Sequence, residues 1–290
     1  METSKTYAYD YDQYEEENKG PDTMIGDILA DSELPQLTEL IIGSWGAAYE
    51  NSCQPIIDGI IEHADRFSHI EKLFIGDMNS EECEVSWISQ GNYEKLWAAM
   101  PQLKELTIQG SSDLELGEIC HDNLEALTII CGGLPARVIK AIGNARLPRL
   151  KKLLLYIGAD TYGFDGDAGT IQSLLEKADF PQLEYLGITD SEIQDEVTEA
   201  VLQSKFMKQI TTLDLSCGTL TDKGGELLLS ALPNFPNIRI LDLHYHFLSD
   251  KMVSRLRRLS VKLSLKVDLS EQNEPEEDEG DTWMSAMLTE

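Results

Sequence analysis

The chain has 290 residues, 42% of them hydrophobic, enough to bury the core of one or two domains. Its 52 acidic and 23 basic residues give a formal charge of -29, a surface that repels phosphate backbones and anionic lipid headgroups. Nucleic-acid and membrane partners are therefore not expected, and a basic or polar protein or peptide fits the charge better. From the N-terminus, Tyr7, Tyr9 and Tyr11 alternate with Ala8, Asp10 and Asp12 as in a short strand. Ile25, Ile28 and Leu29 predict a helix over about 22–31, with Asp22 as candidate N-cap. Residues 1–33 read together as an N-terminal cap segment.

From residue 34 one pattern takes over, L-x-x-L-x-L-x-x-n-x-L, where n is usually asparagine in leucine-rich repeats. Its first three apolar positions recur eight times: Leu37-Leu40-Ile42, Ile70-Leu73-Ile75, Leu103-Leu106-Ile108, Leu124-Leu127-Ile129, Leu150-Leu153-Leu155, Leu183-Leu186-Ile188, Ile210-Leu213-Leu215 and Ile238-Leu241-Leu243. Successive first positions lie 21 to 33 residues apart. The longer spacings hold a strand and a helix. The shortest leaves no room for a helix, so 110–123 reads as loop. Between strands, runs such as Ile56, Ile57, Ile60 and Ile61, or Met252, Val253, Leu256 and Leu259, show helical periodicity. The fold class is α/β, a leucine-rich-repeat solenoid: a right-handed βα horseshoe of about eight repeats, parallel sheet on the concave face and helices on the convex. The n positions hold Trp45, Met78, Ser111, Gly132, Gly158, Ser191, Gly218 and His246, so the usual asparagine ladder is missing and backbone groups there need other partners.

Residues 34–270 form the repeat domain, closed by an edge strand around Leu263, Leu265, Val267 and Leu269. The acidic stretch 271–290 reads as a disordered tail, although Trp283, Met284, Met287 and Leu288 sit at helical spacing and could fold on a partner. Cys53, Cys83, Cys120, Cys131 and Cys217 are odd in number and form no C-x-x-C pair, which argues against a disulfide framework or zinc knuckle. With no apolar run of about 18 residues and no secretory leader, a cytoplasmic location is expected.

The chain resembles a bacterial family of cytoplasmic leucine-rich-repeat proteins of ribonuclease-inhibitor type. The likeness rests on I-G-S-W-G-A-A-Y at 42–49, L-F-I-G-D-M-N-S-E-E-C-E-V-S-W-I-S-Q-G at 73–91, G-G-L-P at 132–135, Y-I-G-A-D-T-Y-G at 156–163, F-P-Q-L-E-Y-L-G-I-T-D-S-E-I-Q-D-E at 180–196 and L-D-L-S-C-G-T-L-T-D-K-G at 213–224. It covers roughly residues 10–268. The resemblance implies the fold; it implies no reaction.

No nucleophile elbow, phosphate-binding loop, zinc-helix motif or dinucleotide fingerprint occurs in the sequence, and no catalytic residue, cofactor or metal is expected. The function expected is non-catalytic: a protein- or peptide-binding scaffold that uses its concave sheet face. Strand alternation places Lys72, Gln109, Tyr156, Tyr185, Asp214, Asp242 and His244 on that face, with Trp45, Asp77, Asp190 and Tyr245 near its rim. Aromatics mixed with acids suit protein recognition. A second cluster, Glu81, Glu82, Glu84 and Trp87 with Gln90, has two readings. Either Val85, Trp87 and Ile88 cover the repeat below and leave the glutamates solvated, or the carboxylates take a cation or basic side chain. Two alternatives to the scaffold stay open: an accessory subunit presenting a substrate to a modifying enzyme, and a metal-dependent enzyme using the acidic loop 81–90.

Overall fold

The computed structural model describes residues 3–278 and 281–288. Ten strands form one parallel sheet in chain order. They are β1 (Ser4–Tyr7), β2 (Glu39–Ile42), β3 (Lys72–Ile75), β4 (Glu105–Gln109), β5 (Ala126–Ile130), β6 (Lys152–Gly158), β7 (Tyr185–Ser191), β8 (Thr212–Asp214), β9 (Ile240–Asp242) and β10 (Lys266–Asp268). The helices are α1 (Tyr11–Glu17), α2 (Pro21–Ala30), α3 (Gln54–Glu62), α4 (Leu96–Ala99), α5 (Ala136–Gly143), α6 (Ala168–Lys177), α7 (Gln194–Gln203), α8 (Asp222–Ala231) and α9 (Asp250–Leu263). No helix separates β4 from β5, as their short spacing predicts. The result is an α/β, leucine-rich-repeat-like solenoid, and no helix among the described residues is long and apolar enough to cross a membrane.

Register shows why the pattern folds this way. Leu40, Leu73, Leu106, Leu127, Leu153, Leu186, Leu213 and Leu241 stand opposite one another from β2 to β9, and Val267 continues the row. All eight leucines are buried against the helix layer. Each contributes about 1.5–3 kcal/mol through that burial. A one-residue slip would turn the whole row outward, which fixes the register. The middle row of the open face changes character along the sheet. It reads Ile41, Phe74, Thr107, Thr128, Leu154 and Gly187, then Asp214, Asp242 and Asp268. This row is therefore uncharged from β2 to β7 and acidic from β8 to β10.

The ends depart from the sequence reading. The N-terminal strand stops at Tyr7, because Asp10 caps α1 in a reciprocal capping box with Gln13. Pro21 takes the first helical position of α2 behind Gly20, so Asp22 lies inside the first turn and does not cap it. The acidic stretch 271–290 reads as disordered, yet its described residues hold hydrogen-bonded positions. Gln272 Nε2 donates to Leu248 O, and β11 (Glu276–Asp278) pairs antiparallel with β12 (Asp281–Trp283). Ala286 is 2% exposed. Composition captured the charge of this segment and missed the anchoring of its last apolar residues.

Candidate functional site

Several strands of the C-terminal half leave the sheet through a residue of left-handed backbone conformation that is not glycine. These are Asp190 (φ 55°) near the end of β7, and Cys217 (φ 65°), Tyr245 (φ 54°) and Glu271 (φ 57°) after β8, β9 and β10. Gly110 (φ 102°) holds the same place after β4. Each such non-glycine residue costs roughly 1–3 kcal/mol, and such outliers cluster where function needs them. Three of the four carry their strain beside a second repeated device. Asp214 accepts the Ser216 N–H and hydroxyl, Asp242 accepts the His244 N–H, and Asp268 accepts the Ser270 N–H and hydroxyl. These Asp-x-Ser and Asp-x-His turns satisfy the backbone at the exits, as the absent asparagines would have done. Elsewhere glutamines do it. Buried Gln90 donates to Gln109 O and accepts from Tyr93 Oη at 2.6 Å, and buried Gln194 donates to Ile188 O at 2.9 Å.

A later segment of the chain itself crosses these exits. Tyr245 Oη donates to Ser285 O at 3.2 Å, Met287 N donates to Cys217 O at 2.8 Å, and Leu288 N donates to Asp190 Oδ1 at 2.8 Å. The segment thus steps from the exit of β9 to that of β8 and then β7, touching the left-handed residue of each. All three hydrogen bonds use the segment's own backbone atoms and so carry little dependence on its sequence.

The surrounding electrostatics are dominated by buried acids. Asp190 is fully buried, and burial pushes its carboxyl up to about 8 against the Leu288 and Met287 N–H groups, which lower it. Its Oδ2 has no hydrogen-bond partner among the described residues. Burial also raises Asp214, which accepts the Tyr185 hydroxyl. Burial and these carboxylates hold the Tyr156 and Tyr185 phenols well above their ordinary range, and Lys152 Nζ lies 5.0 Å from the Tyr185 ring centroid. Partial burial opposes charge on His244, but the Asp242 hydrogen bond and the fields of Asp242 and Asp214 outweigh it and raise its pKa.

Cys217 Sγ lies 3.2 Å from His244 Nε2, and His244 Nδ1 lies 2.8 Å from Asp242 Oδ1. The order thiol, imidazole, carboxylate is that of a cysteine nucleophile. The environment opposes that chemistry. Burial, followed by the charges of Asp190, Asp214 and Asp242, pushes the Cys217 thiol up to about 12, whereas a reactive cysteine is held low by positive charge. Asp242 meanwhile serves the same turn as Asp214 and Asp268. The arrangement is a polar floor under the bound segment, suited to holding a peptide.

The residues expected from sequence divide into three groups. Tyr156, Tyr185, Asp190, Asp214, Asp242, His244 and Tyr245 are brought together on β6–β9 and their exits. Lys72 and Gln109 share the open face but are committed to neighbours. Lys72 pairs with Glu105 at 3.1 Å, and Gln109 Nε2 donates to Met78 O. Glu81, Glu82, Glu84, Trp87 and Asp77 are exposed on loops after β3. Two expectations need correction. Trp45 is fully buried, its Nε1 donating to Asn51 O at 2.8 Å, and it cannot meet a partner. Trp87 is 59% exposed, so Val85 and Ile88 cover the repeat without it. His246 is buried with Nε2 unpartnered among the described residues, and burial lowers its pKa. Strand alternation also places Ser216 on this face, but sequence reasoning passed over Cys217 as a site residue; the repeated Asp-x-Ser/His spacing was the signal that could have found it. Among the described residues no group of three or more His, Cys, Asp or Glu is placed to hold a metal ion.

The geometry has a relative among solved structures. A crystal structure of a Bacteroides fragilis protein, determined as a structural-genomics target, superposes with a TM-score of 0.86 at 40% sequence identity. The match covers 93% of this chain and 75% of that one. The chain belongs to that protein's family. The Bacteroides fragilis relative thus shares the parallel-sheet solenoid over nearly the whole length described above. No family model and no curated protein matches the chain.

Proposed function

We propose that this protein is a non-catalytic, cytoplasmic binding scaffold, a leucine-rich-repeat horseshoe of ribonuclease-inhibitor type. It holds an extended peptide or protein segment across the strand exits of β7–β9. The observation that supports this reading is the course of residues 285–288, which take hydrogen bonds from or to Tyr245, Cys217 and Asp190 in turn. The chain's own C-terminal segment occupies the place a partner's backbone would take. Tyr156 and Tyr185 supply anchors of the kind that dominate binding energy. Asp214, Asp242 and the formal charge of -29 favour a basic or polar partner.

The test is capture of partners by the full chain from native lysate at low and high salt, set against a Tyr156→Ala/Tyr185→Ala/His244→Ala variant of unchanged circular dichroism. A partner lost both in the variant and at high salt is expected. Capture that survives in the variant would contradict the proposed face.

A further inference from the structure

A second concavity lies at the opposite end of the sheet, and the peptide-binding reading does not use it. It is a cleft of about 290 Å³ between α1, the loop after β2 and the loop after β3. Tyr11, Tyr14 and Tyr49 supply rings, and Glu15, Glu81 and Glu82 supply carboxyls. No lysine or arginine is among its lining residues. Tyr11 and Tyr49 are 75% and 57% exposed, large apolar surfaces with no covering. Tyr14 is held from behind: its ring packs on Gly46, whose backbone is left-handed (φ 84°), and its hydroxyl accepts from Asn51 Nδ2 at 3.2 Å. Glu82 keeps one oxygen on the Asn79 N–H at 2.9 Å, which fixes the loop bearing Glu81 and Glu82. Glu50 most of all, then slight desolvation, the neighbouring tyrosines and Glu15, hold the Tyr49 phenol above its ordinary value, so the rings stand in a field that a cation would relieve.

Rings with electron-rich faces beside carboxylates attract a cation. Of the organic cations, a guanidinium fits both features: it is planar and stacks on aromatic faces, and its forked donors match carboxylates. A quaternary ammonium would use the rings and leave the carboxylates without a donor. The size is that of one side chain and lies at the lower edge of ligand clefts, which run from about 300 Å³ upward. We infer that this cleft binds the guanidinium group of an arginine side chain, stacked on Tyr11 and Tyr49 and paired with Glu81 and Glu82. The site gives a concrete form to the cation reading of the acidic loop and is independent of the sheet face. Its failure would leave the peptide-binding proposal standing.

The experiment is an NMR titration of the full chain with Nα-acetyl-arginine amide, its neutral analogue Nα-acetyl-citrulline amide, and tetramethylammonium. Saturable shifts of the Tyr11, Tyr14 and Tyr49 ring signals are expected with the arginine derivative and not with citrulline. Affinity should fall by at least about three-fold in Tyr49→Ala and again in Tyr11→Ala, the size of an exposed cation–aromatic contact. It should fall further in Glu81→Gln/Glu82→Gln, whose glutamines can keep the hydrogen bond to Asn79. Thermal melting of each variant checks that the fold is intact. Equal binding of citrulline, tighter binding of tetramethylammonium, or no saturable shift would each overturn the assignment.

Discussion

Asp190 concentrates the local physics of the sheet face. It combines left-handed backbone, complete burial, one hydrogen-bonded oxygen and one without a partner among the described residues. Its carboxyl is raised from 3.8 to about 8 in the folded chain. Between those values the folded state holds a proton that the unfolded state has released. Its stabilising contribution is therefore complete below the lower value and is lost as pH rises through about 8, with a slope of about 1.4 kcal/mol per pH unit. Asp190→Asn should match the parent in denaturant unfolding at pH 4 and exceed it by more than about 1 kcal/mol at pH 9. Equal stability at both pH values would show that Asp190 is not held protonated. Cys217 gives a second check. With its thiol near 12 and no exposure, iodoacetamide at neutral pH should modify exposed Cys120 first and leave Cys217 unlabelled, as peptide mass mapping would show. Little of this was legible in sequence. Alternation placed Tyr156, Tyr185, Asp214, Asp242 and His244 on one face, because a strand's period of two leaves no choice. The left-handed exits were not legible, because Cys217 and Tyr245 are residue types that give no conformational warning where a glycine would, and Asp190 gives only a weak one.

Among the elements, strands were read best and terminal segments worst, for reasons the structure shows. The leucine rows repeat wherever a strand must bury one face, so even three-residue β8, β9 and β10 stand out. Helix positions followed periodicity, but α1 carries no buried residue and is set by its capping box, which the tyrosine alternation obscured. The C-terminal segment was masked by its acidic composition, while its fixation rests on few contacts: the Met287 and Leu288 N–H groups and buried Ala286. Amide hydrogen exchange of the full chain should show Met287 and Leu288 slower than their neighbours in β11 and β12, and faster than the core strands, because few apolar contacts hold them. Gly158 is a backbone requirement of another kind. Its φ is 72°, and an added Cβ would stand 1.8 Å from Gly132 O. Gly158→Ala should lower the thermal midpoint by several degrees, corresponding to more than about 1 kcal/mol.

Over the whole molecule, the leucine row makes stability a shared property of neighbouring repeats, while the proposed binding role draws on the part where the open face turns acidic. Leu186→Ala in the middle of the row should cost about 2–5 kcal/mol in denaturant unfolding without altering the sheet face chemically. The scaffold reading predicts that affinity resides in Tyr156, Tyr185 and the exits of β7–β9, and that a basic partner loses affinity as the screening length falls from about 10 Å at 0.1 M salt to about 3 Å at 1 M. The proposal requires that these strand exits accept a peptide in the place residues 285–288 now occupy. The most direct measurement is fluorescence anisotropy of a labelled peptide comprising residues 281–290, added to a chain ending at residue 280 and to the full chain. The shortened chain, with unchanged circular dichroism, should bind the peptide saturably, and the full chain should bind it at least about ten-fold more weakly because its own segment competes. No binding to the folded, shortened chain, or equal binding to both, would contradict the claim.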